Sequence, residues 1–168
     1  WVVWITGPAL AVTSVYFSPA DDGLTGSTQI PPYGVQSVYL YIDGGSGLSS
    51  PGSACNDGQG DEVCGSDLEL TGLNGMTLSS FNADPGANLL VNLSAGSMKL
   101  NGLDTQLPTP GAHRIGELLV NAVNGGEIEL TAGEVIRANL DSETLAPTTL
   151  VAAPEPGPLL LLGSGIGL

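Results

Sequence analysis

The chain is 168 residues long, a length that suits one globular domain with short appendages and leaves little room for a second. Hydrophobic residues make up 42% and charged residues only 12%, which supplies apolar surface for a core and excludes a disordered polyelectrolyte. Lys99, Arg114 and Arg137 are the only cations against 17 carboxylates, and the net charge of -14 excludes most nucleic-acid binding, which needs clustered Lys and Arg to displace counterions.

Trp1 to Ala11 is apolar and closes on Ala9-Leu10-Ala11, the small-x-small pattern that precedes signal-peptidase cleavage. Residues 1–11 therefore read as an export signal, partial because no Met and no basic stretch precede Trp1, with the mature chain beginning near Val12. The competing assignment is a buried first strand running on into Val15-Tyr16-Phe17. Residues 12–34 are expected to hold an N-terminal strand and a linker, since Asp21 to Pro32 is rich in Asp, Gly, Ser, Thr and Pro, the turn-forming residues.

Residues 35–146 carry the pattern of the folded domain. Val38, Leu40 and Ile42 alternate with Ser37, Tyr39 and Tyr41, the period of two of a strand with one buried face. A long Gly-rich loop is expected from Asp43 to Asp67. Short strands follow around Leu68 and Leu70, Met76 and Leu78, Leu89 to Leu93, and Met98 and Leu100, with turn chemistry at Gly72-Leu73-Asn74-Gly75 and Asp84-Pro85-Gly86. Ile115 to Val120 forms another, in which Gly116 marks a bulge, and Asn124-Gly125-Gly126 predicts a hairpin into Glu127-Ile128-Glu129-Leu130. Thr131-Ala132-Gly133 is expected to turn the chain into a last strand, Val135 to Leu140. With about eight short strands, frequent turns and no helical stripe, the fold class is all-β, an antiparallel β-sandwich.

Residues 147–153 read as a spacer before Pro154-Glu155-Pro156 and the apolar run from Gly157 to Leu168. This tail, 154–168, resembles the PEP-CTERM sorting signal, in which a Pro-Glu-Pro motif precedes a transmembrane helix and a basic cluster and an exosortase processes the tail during export. The prolines keep the motif extended, since Pro fixes its own φ and restricts its predecessor. A bilayer span needs about 20 apolar residues, so the run forms only a partial C-terminal hydrophobic helix and the tail is read as truncated. The resemblance implies an exosortase-type partner, a membrane contact through the tail before processing, and a final place in the bacterial envelope or extracellular matrix. The body more faintly resembles cohesin-like modules, through Val38-Tyr39-Leu40-Tyr41-Ile42-Asp43, Gly60-Asp61-Glu62-Val63-Cys64-Gly65 and Ile115-Gly116-Glu117-Leu118-Leu119-Val120. That resemblance implies a jelly-roll or cohesin-like β-sandwich used for adhesion or scaffolding rather than catalysis.

Cys55 and Cys64 are the only cysteines, and in an exported chain they are expected to form a disulfide contributing about 2–3 kcal/mol. Two thiols and the distant His113 fall short of a zinc site. Asp57, Asp61 and Glu62, with Asp43 and Asp67 flanking the loop, offer the hard oxygens that calcium prefers, although their spacing is not that of an EF-hand; a solvated acidic loop is the alternative. Enzyme chemistry is poorly supplied. His113 is the only histidine, and neither Gly45-Ser46-Gly47 nor Gly163-Ser164-Gly165 has the strand-turn-helix context of a serine nucleophile. Tyr39 and Tyr41 share a strand face that either packs or stacks on a glycan, and paired carboxylates suffice in principle for a glycoside hydrolase. The composite expectation is an exported, non-catalytic structural or adhesive protein. The alternatives are a polysaccharide- or protein-binding module and, third, a carboxylate-based hydrolase.

Overall fold

The computed structural model describes residues 13–23, 29–43, 63–103, 112–123, 125–137 and 140–153. Among them there is no helix, and the strands are β1 (Ser14–Ser18), β2 (Gln29–Ile30), β3 (Tyr33–Asp43), β4 (Val63–Leu73), β5 (Met76–Ala83), β6 (Leu89–Ser94), β7 (Ser97–Leu103), β8 (Ala112–Val123), β9 (Glu127–Arg137), β10 (Ser142–Thr144) and β11 (Thr149–Ala152). A four-stranded sheet has the order β1-β3-β8-β5. A seven-stranded sheet has the order β2-β11-β9-β4-β7-β6, with β10 added alongside β9. All pairings are antiparallel except that of β11 with β2.

The core follows from alternation. Val38, Leu40 and Ile42 on β3 and Leu118, Val120 and Ala122 on β8 face Leu68 and Leu70 on β4, Met98 and Leu100 on β7 and Ile128 and Leu130 on β9 in one buried cluster. Sheets packed face to face bury one row from each strand, and every second residue of these strands is apolar. The domain is thus the all-β sandwich the pattern predicts. It extends beyond residues 35–146: β1 and β2 come from the segment read as strand and linker, and β11 from the segment read as a spacer, with Leu150 and Ala152 buried.

Three local expectations are corrected. The hairpin across Asn124-Gly125-Gly126 does not form, because β8 and β9 belong to different sheets and the chain crosses the sandwich there. Gly125 and Gly126 have φ of 103° and 109°, and a Cβ on Gly126 would lie 2.6 Å from the Met76 nitrogen, so a side chain is excluded at the crossing. An alternating pattern reports which face is buried and not which strand lies alongside. Thr131-Ala132-Gly133 is a bulge within the continuous strand β9 rather than a turn, with a register shift opposite Glu69 and Leu70. Its backbone stays in the ladder because Thr131 Oγ1 donates to the Glu69 carbonyl at 3.2 Å and Leu145 N to the Gly133 carbonyl at 2.8 Å. Finally, the loop expected to run to Asp67 ends earlier, since Val63 to Asp67 already pairs with β9.

Other local readings hold. The register of β3 on β8 shifts beside Gly116. A Cβ on Gly116 would lie 2.5 Å from the Phe81 ring and 2.6 Å from the Asn82 carbonyl, so the glycine admits Phe81 of β5 to the core. The Asp84-Pro85-Gly86 turn closes with Ala87 N donating to the Asp84 carbonyl at 2.9 Å.

Candidate functional site

The outer face of the four-stranded sheet carries Tyr39 and Tyr41, which share it as their spacing requires. Residues 19–23 fold back over this face. Tyr41 stacks on Tyr16 of β1 with ring centroids 5.4 Å apart and planes 6° from parallel. Its hydroxyl donates to Asp21 Oδ1 at 3.0 Å, and the Tyr16 hydroxyl donates to the Gly23 carbonyl at 2.8 Å. Tyr41 is therefore buried against its own sheet's neighbour strand and a returning turn, not against the second sheet. Tyr39 stays half-exposed beneath Arg114, whose guanidinium carbon lies 5.5 Å from the ring centroid.

Arg114 ties this surface together. It donates from Nε and Nη2 to Asp84 at 2.7 and 3.0 Å and from Nη1 to Asp21. The Arg114 bond holds the Asp21 carboxyl below its ordinary range, helped by the Tyr41 hydroxyl, and the two carboxylates push the Arg114 value up. Burial and the Asp21 carboxylate raise Tyr41, and burial with the charges of Asp43 and Asp22 raises Tyr16, so both phenols stay protonated and available as donors.

A second ionic contact lies where the chain enters β1. Arg137 at the end of β9 is only 8% exposed, and its Nη2 donates to Glu143 Oε2 and to Thr13 Oγ1, each at 2.6 Å. Thr13 N and Oγ1 donate to the two Glu143 oxygens at 2.9 Å. Burial works to raise the Glu143 carboxyl, but Arg137 and the Thr13 donors outweigh it and hold the group below its usual range. Sequence reasoning missed this cluster, because Thr13 is far in the chain from Arg137 and Glu143 and only the burial of a rare arginine announces it.

The outer face of the seven-stranded sheet is open. Asp67, Glu69 and Thr71 of β4 alternate with the buried Leu68 and Leu70 and so point away from the core, and β9 and β7 flank them. A groove of about 480 Å³ lies there, lined by Asp67 and Glu69, by Lys99 of β7, by Thr131 and Glu134 of β9, and by the 144–147 segment. Register sets Glu134 opposite Asp67 and Lys99 opposite Glu69, with Lys99 Nζ 3.3 Å from Glu69 Oε2. Asn101 Nδ2 donates to Asp67 Oδ1 at 3.3 Å. The groove is net negative and offers carboxylate, hydroxyl and ammonium groups on a rigid sheet, features suited to seating cationic or hydroxyl side chains.

Of the expected calcium ligands, Asp57, Asp61 and Glu62 lie outside the described residues. Asp43 ends β3 in the four-stranded sheet, whereas Asp67 lies on β4 in the other. Among the described residues no group of three or more His, Cys, Asp and Glu is placed to hold a metal ion. Cys64 lies in β4 and no described cysteine is free, while Cys55 lies outside the described residues. His113 lies on β8 opposite Ile42. Pro154, Glu155 and Pro156, like the 1–11 segment and the C-terminal apolar run expected to be helical, fall outside the described residues, and no described helix is long and apolar enough to cross a membrane. Glu69, Lys99 and Glu134 were not singled out from the sequence. The alternation around Glu69 places it outward, but its neighbours depend on the non-local pairing of β4 with β7 and β9.

No protein-family model matches the chain, and no curated protein matches its sequence. Solved structures do resemble it. A cohesin module from a Clostridium perfringens family 33 glycoside hydrolase superposes with a TM-score of 0.58 at 12% identity, covering 86% of this chain and 98% of that one. A non-cellulosomal cohesin from the hyperthermophilic archaeon Archaeoglobus fulgidus gives 0.56 at 15% identity, covering 92% and 99%. A type I cohesin–dockerin complex from Clostridium thermocellum gives 0.57 at 9% identity, covering 86% and 96%. At these identities the likeness establishes the fold, and the chain folds as a cohesin-like β-sandwich.

Proposed function

We propose that the chain is an exported, non-catalytic adhesive module that binds a protein partner on the outer face of its seven-stranded sheet. The observation that carries this reading is the groove between β4, β7 and β9, on a sandwich similar to cohesins, one of which was solved in complex with a dockerin. Asp67, Glu69 and Glu134 present carboxylates to Lys, Arg or hydroxyl groups of the partner, and the described residues that line the groove include no aromatic ring on which a sugar would stack. Export through residues 1–11, sorting by an exosortase at Pro154-Glu155-Pro156 and a Cys55–Cys64 disulfide complete the proposal.

The test is affinity capture from the extracellular fraction of the source bacterium, followed by titration of the captured protein. Saturable binding by the native chain that is lost in Glu69→Lys and Glu134→Lys supports the assignment, and equal binding by these folded variants rejects it. A glycan array addresses the alternative, since saturable sugar binding abolished by Tyr39→Ala moves the site to the tyrosine face. Asp67 and Glu134 are register partners, so a carboxylate-based hydrolase would draw its pair from them. Sugar release by the native chain that Glu134→Gln abolishes would replace adhesion with catalysis. Thermal melts with calcium and with chelator separate a calcium-binding acidic loop from a solvated one: equal midpoints reject a tight site.

A further inference from the structure

The two sheets are unequal in width, and among the described residues the wider one ends in a rim that no further strand covers. Among the described residues β6 pairs only with β7. Directly opposite residues of an antiparallel pair share a face, so Leu89, Val91 and Leu93, opposite Gly102, Leu100 and Met98, prolong the buried row of β7. That row comes to the surface at β6, where Val91 is 38% and Leu93 50% exposed, while Leu90 on the outer face is 62% exposed.

The remaining rim strands are finished differently. β1 buries Val15 and Phe17, β2 buries Ile30, and β5 buries Met76, Leu78 and Phe81 while exposing Thr77, Ser79 and Asn82. Rim strands are ordinarily blunted by charge, Pro or extreme shortness. β6 has none of these, and the whole run from Gly86 to Met98 holds no Asp, Glu, Lys, Arg or Pro in a chain of net charge -14.

We propose that β6 is a self-association edge, at which a second copy of this chain adds its own β6 antiparallel and continues the seven-stranded sheet across a twofold axis. Charge selects this occupant. Two such acidic chains repel wherever their carboxylates meet; β6, like β1 and β5, carries none, but it alone of these uncharged rims also exposes large apolar side chains, and a cationic partner finds nothing on it to neutralise. The strand is also complementary to itself. An axis normal to the sheet keeps both inner faces on one side, so the pairing centres on a residue. Centred on Val91, it sets Val91 against Val91 of the second copy and Leu89 against Leu93 twice. The exposed apolar row of each copy is then covered by that of the other. This surface is the free edge of β6, whereas the groove lies over β4, β7 and β9, so either can fail without the other.

Sedimentation of the full chain over rising concentration and salt tests the proposal. The expected result is a monomer–dimer equilibrium that tightens as salt screens the mutual repulsion. Val91→Lys and Leu93→Lys weaken it roughly tenfold or more, and Thr77→Lys on the β5 rim leaves it unchanged, with circular dichroism confirming that each variant is folded. Val91→Cys gives a disulfide between copies on mild oxidation, located by peptide mapping. A monomer at every concentration and salt overturns the proposal and leaves β6 to a strand of another protein. A dimer that persists in both lysine variants overturns it as well, by placing the interface elsewhere.

Discussion

On the outer face of the four-stranded sheet, Tyr41 lies buried under residues 19–23, and the Tyr16 and Tyr41 hydroxyls and the Arg114 guanidinium have partners within the chain. On the outer face of the seven-stranded sheet, Glu69 and Lys99 meet solvent across an open groove. The same secondary structure thus yields one face whose polar groups are bonded beneath a covering turn and one whose polar groups, paired at 3.3 Å, stay open to solvent. Polar groups that satisfy each other contribute to stability, and a surface left open contributes little to stability and much to recognition. The difference can be broken from either side.

The largest effect is expected on the closed face. Tyr41→Ala removes a buried, stacked ring and should cost about 3–4 kcal/mol in chemical denaturation, whereas Tyr41→Phe keeps the stack and loses the bond to Asp21, costing about 1 kcal/mol. Equal costs for the two would show that the ring's burial counts for little. At the entry to β1, Arg137→Ala leaves Glu143 without its cation and should cost about 2–3 kcal/mol, toward the lower limit for a buried pair because Glu143 keeps some solvent contact.

That carboxylate also sets a pH dependence. The Glu143 value is depressed in the folded chain, so its ionised form stabilises the fold. The contribution is complete above the ordinary carboxylate range and is lost as pH falls through the depressed folded value. Asp21 is shifted in the same direction through Arg114 and adds to the same acid limb. Glu143→Gln should therefore lower stability at neutral pH and flatten its decline under acid, as measured by denaturant midpoints across the acidic range. An unchanged acid limb would remove Glu143 from the account.

The fold class was readable because it depends on a local signal. The alternation of Val38, Leu40 and Ile42 reports a buried face wherever the strand is placed, and Asp84-Pro85-Gly86 reports a turn. Pairing is non-local and was misread: Asn124-Gly125-Gly126 has hairpin composition, yet it joins strands of different sheets. The acidic positions flanking the expected loop, Asp43 and Asp67, are separated by the same partition. Tyr39 and Tyr41 were found on one face, but the turn that covers Tyr41 lies in a segment whose composition says only loop. The groove could not be read because Lys99 meets Glu69, and Glu134 meets Asp67, only once β4 is inserted between β7 and β9.

The smallest stability effect belongs to the open face. The Lys99–Glu69 contact spans 3.3 Å between side chains that are 55% and 32% exposed, so solvent and salt screen it. Lys99→Ala should change stability by less than about 0.5 kcal/mol. It also removes the ammonium from the groove and leaves three carboxylates facing a partner. A cationic partner should then bind the Lys99→Ala chain more tightly than the native one, with a steeper loss of affinity as salt rises, and Glu69→Lys should do the reverse at similar stability. Should Lys99→Ala instead destabilise as much as Arg137→Ala, the open face would be as internally committed as the closed one. The groove would then be part of the scaffold, and the partner surface would have to be sought elsewhere.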